Sequence, residues 1–182
     1  MKYQVFGYNL EQKEKPVSIS APIDAAKYKE VKKSQDICTL VLVVEERFQL
    51  ALDNFQEWET ELLNQAQRSL LWNINDFATA MQQRLNLDRR FVNLLSSFRL
   101  YLDQSDHNIS QIFGKDSNEL KSVKKFKCEL YDAHFGYRLI ESLRNHVQHS
   151  DLPLSTIRYN TSRVESKDGI YVQFSVIPQI KS

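Results

Sequence analysis

Residues 138–154 read RLIESLRNHVQHSDLPL, and this stretch marks the place where a long helical pattern ends and strand-forming sequence begins. Its centre, RNHVQH at residues 144–149, contains two of the chain's four histidines together with an arginine and two amides. We expect the helix to stop in the step from Ser150 to Pro153, because proline cannot continue a helix. Most of the remaining sequence has the pattern of packing residues that hold this helix in place.

Apolar residues upstream recur at spacings of three, four or seven, which is typical of amphipathic helices. The first such helix is predicted over about residues 35–68, with Ser34 as its N-cap. A second is predicted to begin near Asn73 and to end at Gly114, a natural C-terminal stop.

A third long helix is predicted from about residue 116 to His149. Gly136 lies inside this helix and lowers its stability by about 1 kcal/mol relative to alanine. We therefore expect another helix to approach closely at residues 133–136. The buried stripe of this helix is predicted from its apolar spacing: Leu120, Val123, Phe126 or Lys127, Leu130, Ala133, Tyr137, Ile140, Leu143 and Val147.

Strand-like segments lie at the two ends of the chain. Tyr3–Tyr8 and residues 16–20 are short candidates at the N-terminus. Residues 155–160 and 170–176 alternate in character around the turn sequence Lys167-Asp168-Gly169, which indicates a hairpin. Because two strands alone are marginally stable, this hairpin should pack on the helices or pair with the N-terminal strands.

These patterns predict a mainly α fold, a bundle of three long helices with a small β appendage. The predicted organisation is an N-terminal segment at residues 1–33, the helical bundle at 34–152 and the hairpin at 153–182. A chain of 182 residues is long enough to bury a substantial core as one domain.

Composition narrows the classes of function. The formal net charge is +1, so no global electrostatic attraction to nucleic acid or membrane is evident. Cys38 and Cys128 lack metal-ligand spacing, and we predict no metal or other cofactor. Without a secretory signal, a reducing cytoplasm is the expected location. The longest apolar run, Ile37 to Val44, is too short for a membrane-spanning helix.

The chemistry available at residues 144–149 is that of a metal-free ribonuclease. The imidazole of His149 can take a proton from a ribose 2′-hydroxyl or give one to a leaving 5′-oxygen near neutral pH. The guanidinium of Arg144 can hold a scissile phosphate, and Asn145 can orient either group. Arg144 and His149 lie ~140° apart around a helix axis, so one helix does not aim both at one target. Convergence requires the long Arg144 side chain to wrap back, the helix end to distort, or a second copy to contribute, as in a symmetric dimer with antiparallel copies of this helix.

Arg144-Asn145-x-x-x-His149 near the end of a long helix, followed by a polar step and Leu-Pro-Leu, resembles the signature of HEPN domains, a family named for its higher-eukaryote and prokaryote nucleotide-binding members. The family motif is an arginine, four to six residues and a histidine, often with a polar residue directly after the arginine. HEPN domains are compact all-α bundles, in agreement with the helical pattern of residues 34–150. The resemblance does not extend to the N-terminal segment or the hairpin.

The resemblance implies a metal-independent RNA endonuclease that acts as a homodimer through the motif-bearing helix. Such domains are frequent in bacterial toxin–antitoxin and antiviral defence systems, so an antitoxin or other partner protein is a further expectation. Arg144, Asn145 and His149 are then the catalytic candidates. Weaker candidates for substrate binding are Arg138, Glu141 and His146, although Glu141 is equally placed to pair with Arg138 or Arg144.

Other interpretations stay open. Arg144 and His149 would also suit a helix C-terminus, where they satisfy carbonyls and the helix dipole. The chain would then be a non-catalytic dimerisation or binding module, or a domain of a larger defence protein. Elsewhere, Asp88-Arg89-Arg90 is interpreted as a solvated face of the second helix, with a phosphate contact as the alternative. Four lysines form a basic cluster in the first turns of the third helix: Lys121, Lys124, Lys125 and Lys127. This basic cluster is interpreted either as a solvated surface or as a track that binds the RNA backbone. Trp72 and Tyr159 are weak candidates for base stacking.

Overall fold

The computed structural model describes residues 3–8, 18–72, 76–167 and 169–180. The prediction of a mainly α fold with a small β appendage is confirmed. The described elements in chain order are β1 (Tyr3–Tyr8), β2 (Ser18–Ile23), α1 (Ala25–Leu71), α2 (Phe77–Phe113), α3 (Asn118–Ala133), α4 (Phe135–His149), β3 (Leu154–Ser166) and β4 (Gly169–Ile180). No helix in this part of the chain combines the length and apolarity required to cross a membrane.

The chain divides into two compact units within α1, between Val43 and Val44. In the first unit, β1 and β2 form an antiparallel pair from Tyr3 opposite Ile23 to Tyr8 opposite Ser18. The strand expected at residues 16–20 therefore begins at Ser18, and the two residues before it lie outside the described residues.

The prediction that α1 starts after Ser34 is wrong. The helix starts at Ala25, because the Asp24 carboxylate accepts a hydrogen bond from the backbone N–H of Lys27 at 2.7 Å and so serves as its N-terminal cap. The Ser34 hydroxyl lies within the helix and donates to the Glu30 carbonyl at 3.0 Å. Pairing of Lys27 with Glu30 at 2.8 Å supports this first turn.

The ends of α2 follow from its capping residues. The Asp76 carboxylate accepts a hydrogen bond from the Thr79 N–H at 2.8 Å, whereas the predicted cap Asn73 lies outside the described residues. This bond holds the pKa of Asp76 below its usual range. The predicted stop at Gly114 is confirmed: its φ is +102°, and its N–H donates to the Ser110 carbonyl at 2.9 Å.

The predicted third helix is two helices, and the expectation of one continuous helix to His149 is wrong. His134 adopts an extended backbone, with φ −112° and ψ 111°, between α3 and α4. The Arg138 guanidinium donates to the carbonyls of Tyr131 and Asp132 at 2.8 and 2.7 Å, which satisfies the end of α3. Among the described residues, no atom of another element lies within 4 Å of a Cβ added at Gly136, so the expected close approach there is also wrong.

The second unit is built around α2. Its buried apolar side chains come from every element of the unit except β4: Ala51, Leu87, Leu95, Leu102, Leu120, Leu143 and Leu154. Full burial of each leucine contributes roughly 2 kcal/mol. Aromatic pairs join α1 to α2, with Trp58 and Phe91 ring centroids 4.7 Å apart. Phe98 of α2 meets Tyr137 of α4 edge-on at 5.8 Å.

The C-terminal hairpin is antiparallel, from Leu154 opposite Ile180 to Ser166 opposite Gly169, with an irregularity just after Leu154. Asp88 joins it to α2. This carboxylate is 1% exposed, and it accepts from the Leu154 N–H at 2.9 Å and from Arg84 at 3.1 Å. The Arg84 guanidinium also donates to the Leu154 carbonyl at 2.9 Å. The interpretation of Asp88 as part of a solvated face is therefore wrong.

Candidate functional site

The three motif residues lie on the last turns of α4. This helix ends at His149, because Ser150 leaves helical geometry with φ −133° and ψ −79°. The Ser150 N–H donates to the His146 carbonyl at 2.8 Å, which closes the final turn. Arg144 is half-buried, whereas Asn145 and His149 are exposed.

The side chain of Arg144 lines a cavity of about 210 Å³ between α2 and α4. Its Nη1 donates to the Asn145 side-chain oxygen at 3.2 Å. Within the described ranges, no carboxylate forms an ion pair with Arg144, which leaves most of its donors available to an anion. The other lining residues are Leu95, Ser96, Arg99, Leu100, Asp103, Val147 and Gln148.

Arg99 is the second guanidinium of this cavity, and two carboxylates hold it. It contacts Glu141 of α4 at 2.8 Å and Asp103 of its own helix at 2.8 Å. Partial burial disfavours the charge, but the hydrogen bond and charge of Glu141, followed by those of Asp103, outweigh burial and raise the pKa of Arg99. The positive charge of Arg99 is thus held in place and balanced by two carboxylates, unlike the charge of Arg144.

Glu141 therefore pairs across the helices with Arg99, not along α4 with Arg138 or Arg144. The same carboxylate affects Tyr137. Burial, with a smaller contribution from the charge of Glu141, raises the pKa of that phenol. Arg138, bound to the α3 carbonyls, lies outside the cavity lining. Glu141 and Arg138 thus have structural partners in the described residues.

His149 does not line the cavity that contains Arg144. It stands exposed at the end of α4, where a histidine can act on a group supplied from outside the chain. His146 is half-buried, and in the described part of the chain its Nε2 has no hydrogen-bond partner. The structure thus brings Arg144 beside Asn145 and Arg99, but it does not bring His149 into the same cavity.

The basic cluster on α3 is divided in its surroundings. The Lys127 ammonium donates to the Leu102 carbonyl at 2.6 Å and to Asp106 at 2.7 Å, so it joins α3 to α2. Lys125 faces Glu129 at 3.7 Å on the surface. Lys121 and Lys124 are exposed.

The remaining sequence candidates also separate. Arg90 pairs with Glu57 and Glu61 of α1 at 2.6 and 3.2 Å, whereas Arg89 is exposed. The Tyr159 hydroxyl donates to Gln83 at 2.7 Å, so Tyr159 is a packing residue of the hairpin. Trp72 is 62% exposed.

Arg99 and Asp103 line the cavity with Arg144, but they are not among the site residues predicted from the sequence. The available signal was their spacing of four residues on one helix, which allows an ion pair. Their position opposite α4 depends on the packing of the two helices. Among the described residues, no group of three or more His, Cys, Asp or Glu side chains is placed to hold a metal ion.

The fold and the site define a helical-bundle protein with one uncompensated arginine in an interhelical cavity and an exposed histidine at the end of the same helix. No protein-family model matches the chain, and neither the curated proteins nor the solved structures include a significant match.

Proposed function

We propose that this chain is a metal-independent, HEPN-like RNA endonuclease that acts as a homodimer in a bacterial toxin or antiviral defence setting. The observation that supports the proposal is that the charge of Arg144 is not paired with a carboxylate in the described residues. Its guanidinium lies at a cavity with no carboxylate partner in the described residues, five positions before the exposed His149. This is the combination that the sequence motif requires.

Arg144 would bind the scissile phosphate. A guanidinium donates to two phosphate oxygens at once and stabilises the charge that develops on them. Asn145, whose oxygen accepts from Arg144 at 3.2 Å, would orient the guanidinium. Arg99 would lie near the bound phosphate, because Asp103 and Glu141 hold it beside Arg144. Since both carboxylates already pair with it, Arg99 would bind the phosphate only weakly.

His149 would move the proton. As a base it takes the proton of the 2′-hydroxyl while the 2′-oxygen attacks phosphorus. As an acid it protonates the leaving 5′-oxygen. The bond between phosphorus and the 5′-oxygen breaks, and the products are a 2′,3′-cyclic phosphate and a 5′-hydroxyl.

Each chain would supply only part of one site. Arg144 lines the cavity between α2 and α4, but His149 of the same chain does not. In a dimer with two-fold symmetry, His149 of the second copy can reach the phosphate held by Arg144 of the first. An isologous contact through α4 would create two such sites.

The experiment is cleavage of total cellular RNA by the purified protein in EDTA. The parent should leave 2′,3′-cyclic phosphate ends, and both His149→Ala and Arg144→Ala should lose the activity. The matched controls are His107→Ala and Arg89→Ala, which remove exposed side chains of the same types from α2. Equal cleavage by the parent and the two motif variants would overturn the proposal.

A second candidate is a non-catalytic binding module, and the separation of Arg144 from His149 favours it. One available guanidinium without a nearby base suits phosphate binding without cleavage. This candidate predicts that the parent retains RNA but leaves it intact. Arg144→Ala would then weaken binding, and His149→Ala would not.

A further inference from the structure

Among the described residues, the hydrogen bonds between β3 and the helices are made by Leu154 and Tyr159, in the first half of the strand. Beside Asp88, Leu154 starts β3, which then follows α2 toward Phe77, the first residue of that helix. A groove of about 430 Å³ lies between Phe77 and Tyr159 and their neighbours. Because β3 continues to Ser166, its last seven residues extend roughly 23 Å beyond Tyr159.

One face of the hairpin is covered at the base and open at the tip. Alternation along the strands places Ile170, Val172, Phe174 and Val176 on the face that carries Tyr159. Phe174 and Val176 are half-buried, and the Phe174 ring lies 6.2 Å from that of Tyr159. Val172 and Ile170 are 63% and 60% exposed. On β4 the apolar side chains therefore continue past the part that the bundle covers, whereas β3 places Arg163 and Glu165 opposite Val172 and Ile170 on the same face.

The two edges of this sheet differ in charge. β3 carries Arg158, Arg163 and Glu165 on exposed positions, and such charges discourage pairing with another strand. β4 has no charged side chain from Gly169 to Ile180. Among the described residues β4 pairs with β3 alone, so its second edge offers unpaired backbone groups.

We propose that β4 pairs antiparallel with β4 of a second copy, with the two-fold axis at Gln173, to form a four-stranded sheet. In this register Ile170 lies opposite Val176 of the other copy and Val172 lies opposite Phe174 of the other copy. The apolar faces then coincide, whereas a shift of one residue would place them on opposite sides. The paired segment runs from Gly169 to Ile177 and ends before Pro178, which has no N–H to donate.

Charge and hydrogen-bonding complementarity favour a second copy as the occupant. The β4 sequence has the same polarity on both sides of Gln173, so two copies present matching partners at every position. Gln173 meets its own symmetry mate, and a primary amide both donates and accepts. The charged β3 strands become the outer edges, so the sheet ends at four strands from two copies. Four strands would also support the part of the hairpin beyond Tyr159, where the two strands have only each other in the described residues.

Charge reversal at the symmetry axis tests the proposal. In a dimer of the Gln173→Lys variant, the two lysines face each other across the symmetry axis. In a dimer of the Gln173→Glu variant, the two glutamates do. Gln173 is exposed and lies apart from the motif on α4, so these changes leave the bundle intact. We expect the dimer dissociation constant to rise by about tenfold in each variant at low ionic strength. An equal mixture of the two variants should associate at least as tightly as the parent.

Ser162→Lys is the matched control, because Ser162 lies directly opposite Gln173 on β3 and is exposed on the same face. It adds the same charge to an outer strand and should leave association unchanged. Sedimentation equilibrium gives the mass of each sample. A monomeric parent, or identical association of the parent and both Gln173 variants, would overturn the proposal, and a contact through α4 does not change this dependence on Gln173. The test does not depend on RNA cleavage.

Discussion

The guanidinium of Arg99 donates to the carboxylate of Glu141 at 2.8 Å and joins α2 to α4 beside the cavity that contains Arg144. Neither residue belongs to a sequence motif. Their pairing fixes the last turns of α4 against the central helix, and it explains why Glu141 is not available to Arg144. The geometry of the candidate site thus depends on a contact between residues that are distant in sequence.

Removing the charge of Glu141 should weaken this junction. We expect Glu141→Gln to lower the free energy of unfolding by roughly 1 kcal/mol, because the Arg99 charge keeps Asp103 but loses its partner on α4. Urea denaturation measures the change. Glu129→Gln is the control, since Glu129 faces Lys125 at 3.7 Å on the surface and should contribute almost nothing. Equal effects of the two substitutions would contradict the assigned role of Glu141.

Asp88→Ala should be the more damaging change. It leaves the buried Leu154 N–H without its acceptor and removes the carboxylate partner of Arg84, which we expect to cost roughly 3 kcal/mol of stability. Chemical denaturation gives the total, and amide hydrogen exchange should show faster exchange in β3. Glu59→Ala, which removes an exposed carboxylate from α1, should stay close to the parent. A stable Asp88→Ala protein with a protected β3 would refute the account of how the hairpin is attached.

The glycines at 136 and 114 should respond in opposite directions to alanine. Gly136 is helical, and in the described part of the chain an added Cβ meets no atom of another element within 4 Å, so Gly136→Ala should stabilise the protein by roughly 0.5–1 kcal/mol. Gly114 has φ +102°, which alanine adopts only with strain, so Gly114→Ala should destabilise it. Thermal melting of the two variants compares them directly. Destabilisation by Gly136→Ala would mean that a neighbour packs against that position.

The cap of α2 predicts a dependence of stability on acid. The hydrogen bond from the Thr79 N–H lowers the pKa of Asp76 below its ordinary value of 3.8. Because the folded pKa is the lower one, the contribution is present above pH 3.8 and is lost as the pH falls through the folded value. Asp76→Asn keeps a capping oxygen that does not titrate. Urea midpoints at about pH 6 and about pH 3 should therefore fall more for the parent than for this variant. Parallel losses would exclude the cap as a source of acid sensitivity.

Much of the fold is predictable from local sequence. Apolar spacing predicts the helices, Gly114 ends α2 because glycine tolerates positive φ, and the turn before Gly169 predicts the hairpin. The errors arise where two local signals compete. Asp24 and Ser34 are both capping residues, and the earlier one starts α1. The break at His134 has no glycine or proline, so the apolar stripe runs through it without interruption.

The candidate site is only partly predictable, for a physical reason. A motif within one helix fixes the order of Arg144, Asn145 and His149 and their directions around the axis. It does not fix which residues of α2 face them. Arg99 and Asp103 enter the cavity through helix packing, and the burial of Asp88 depends on the path of β3. These contacts join residues far apart in the chain, so the spacing of apolar residues within one helix does not predict them.

In the proposed enzyme, Arg144 of one copy and His149 of another form one RNA-cleaving site. The test is to mix the two inactive variants, Arg144→Ala and His149→Ala, and to let their subunits exchange. Half of the randomly formed dimers are mixed, and each mixed dimer keeps one intact site, so cleavage in EDTA should recover to about one quarter of the parent rate. No recovery, in samples where mixed dimers are demonstrated, would contradict a site shared between two copies.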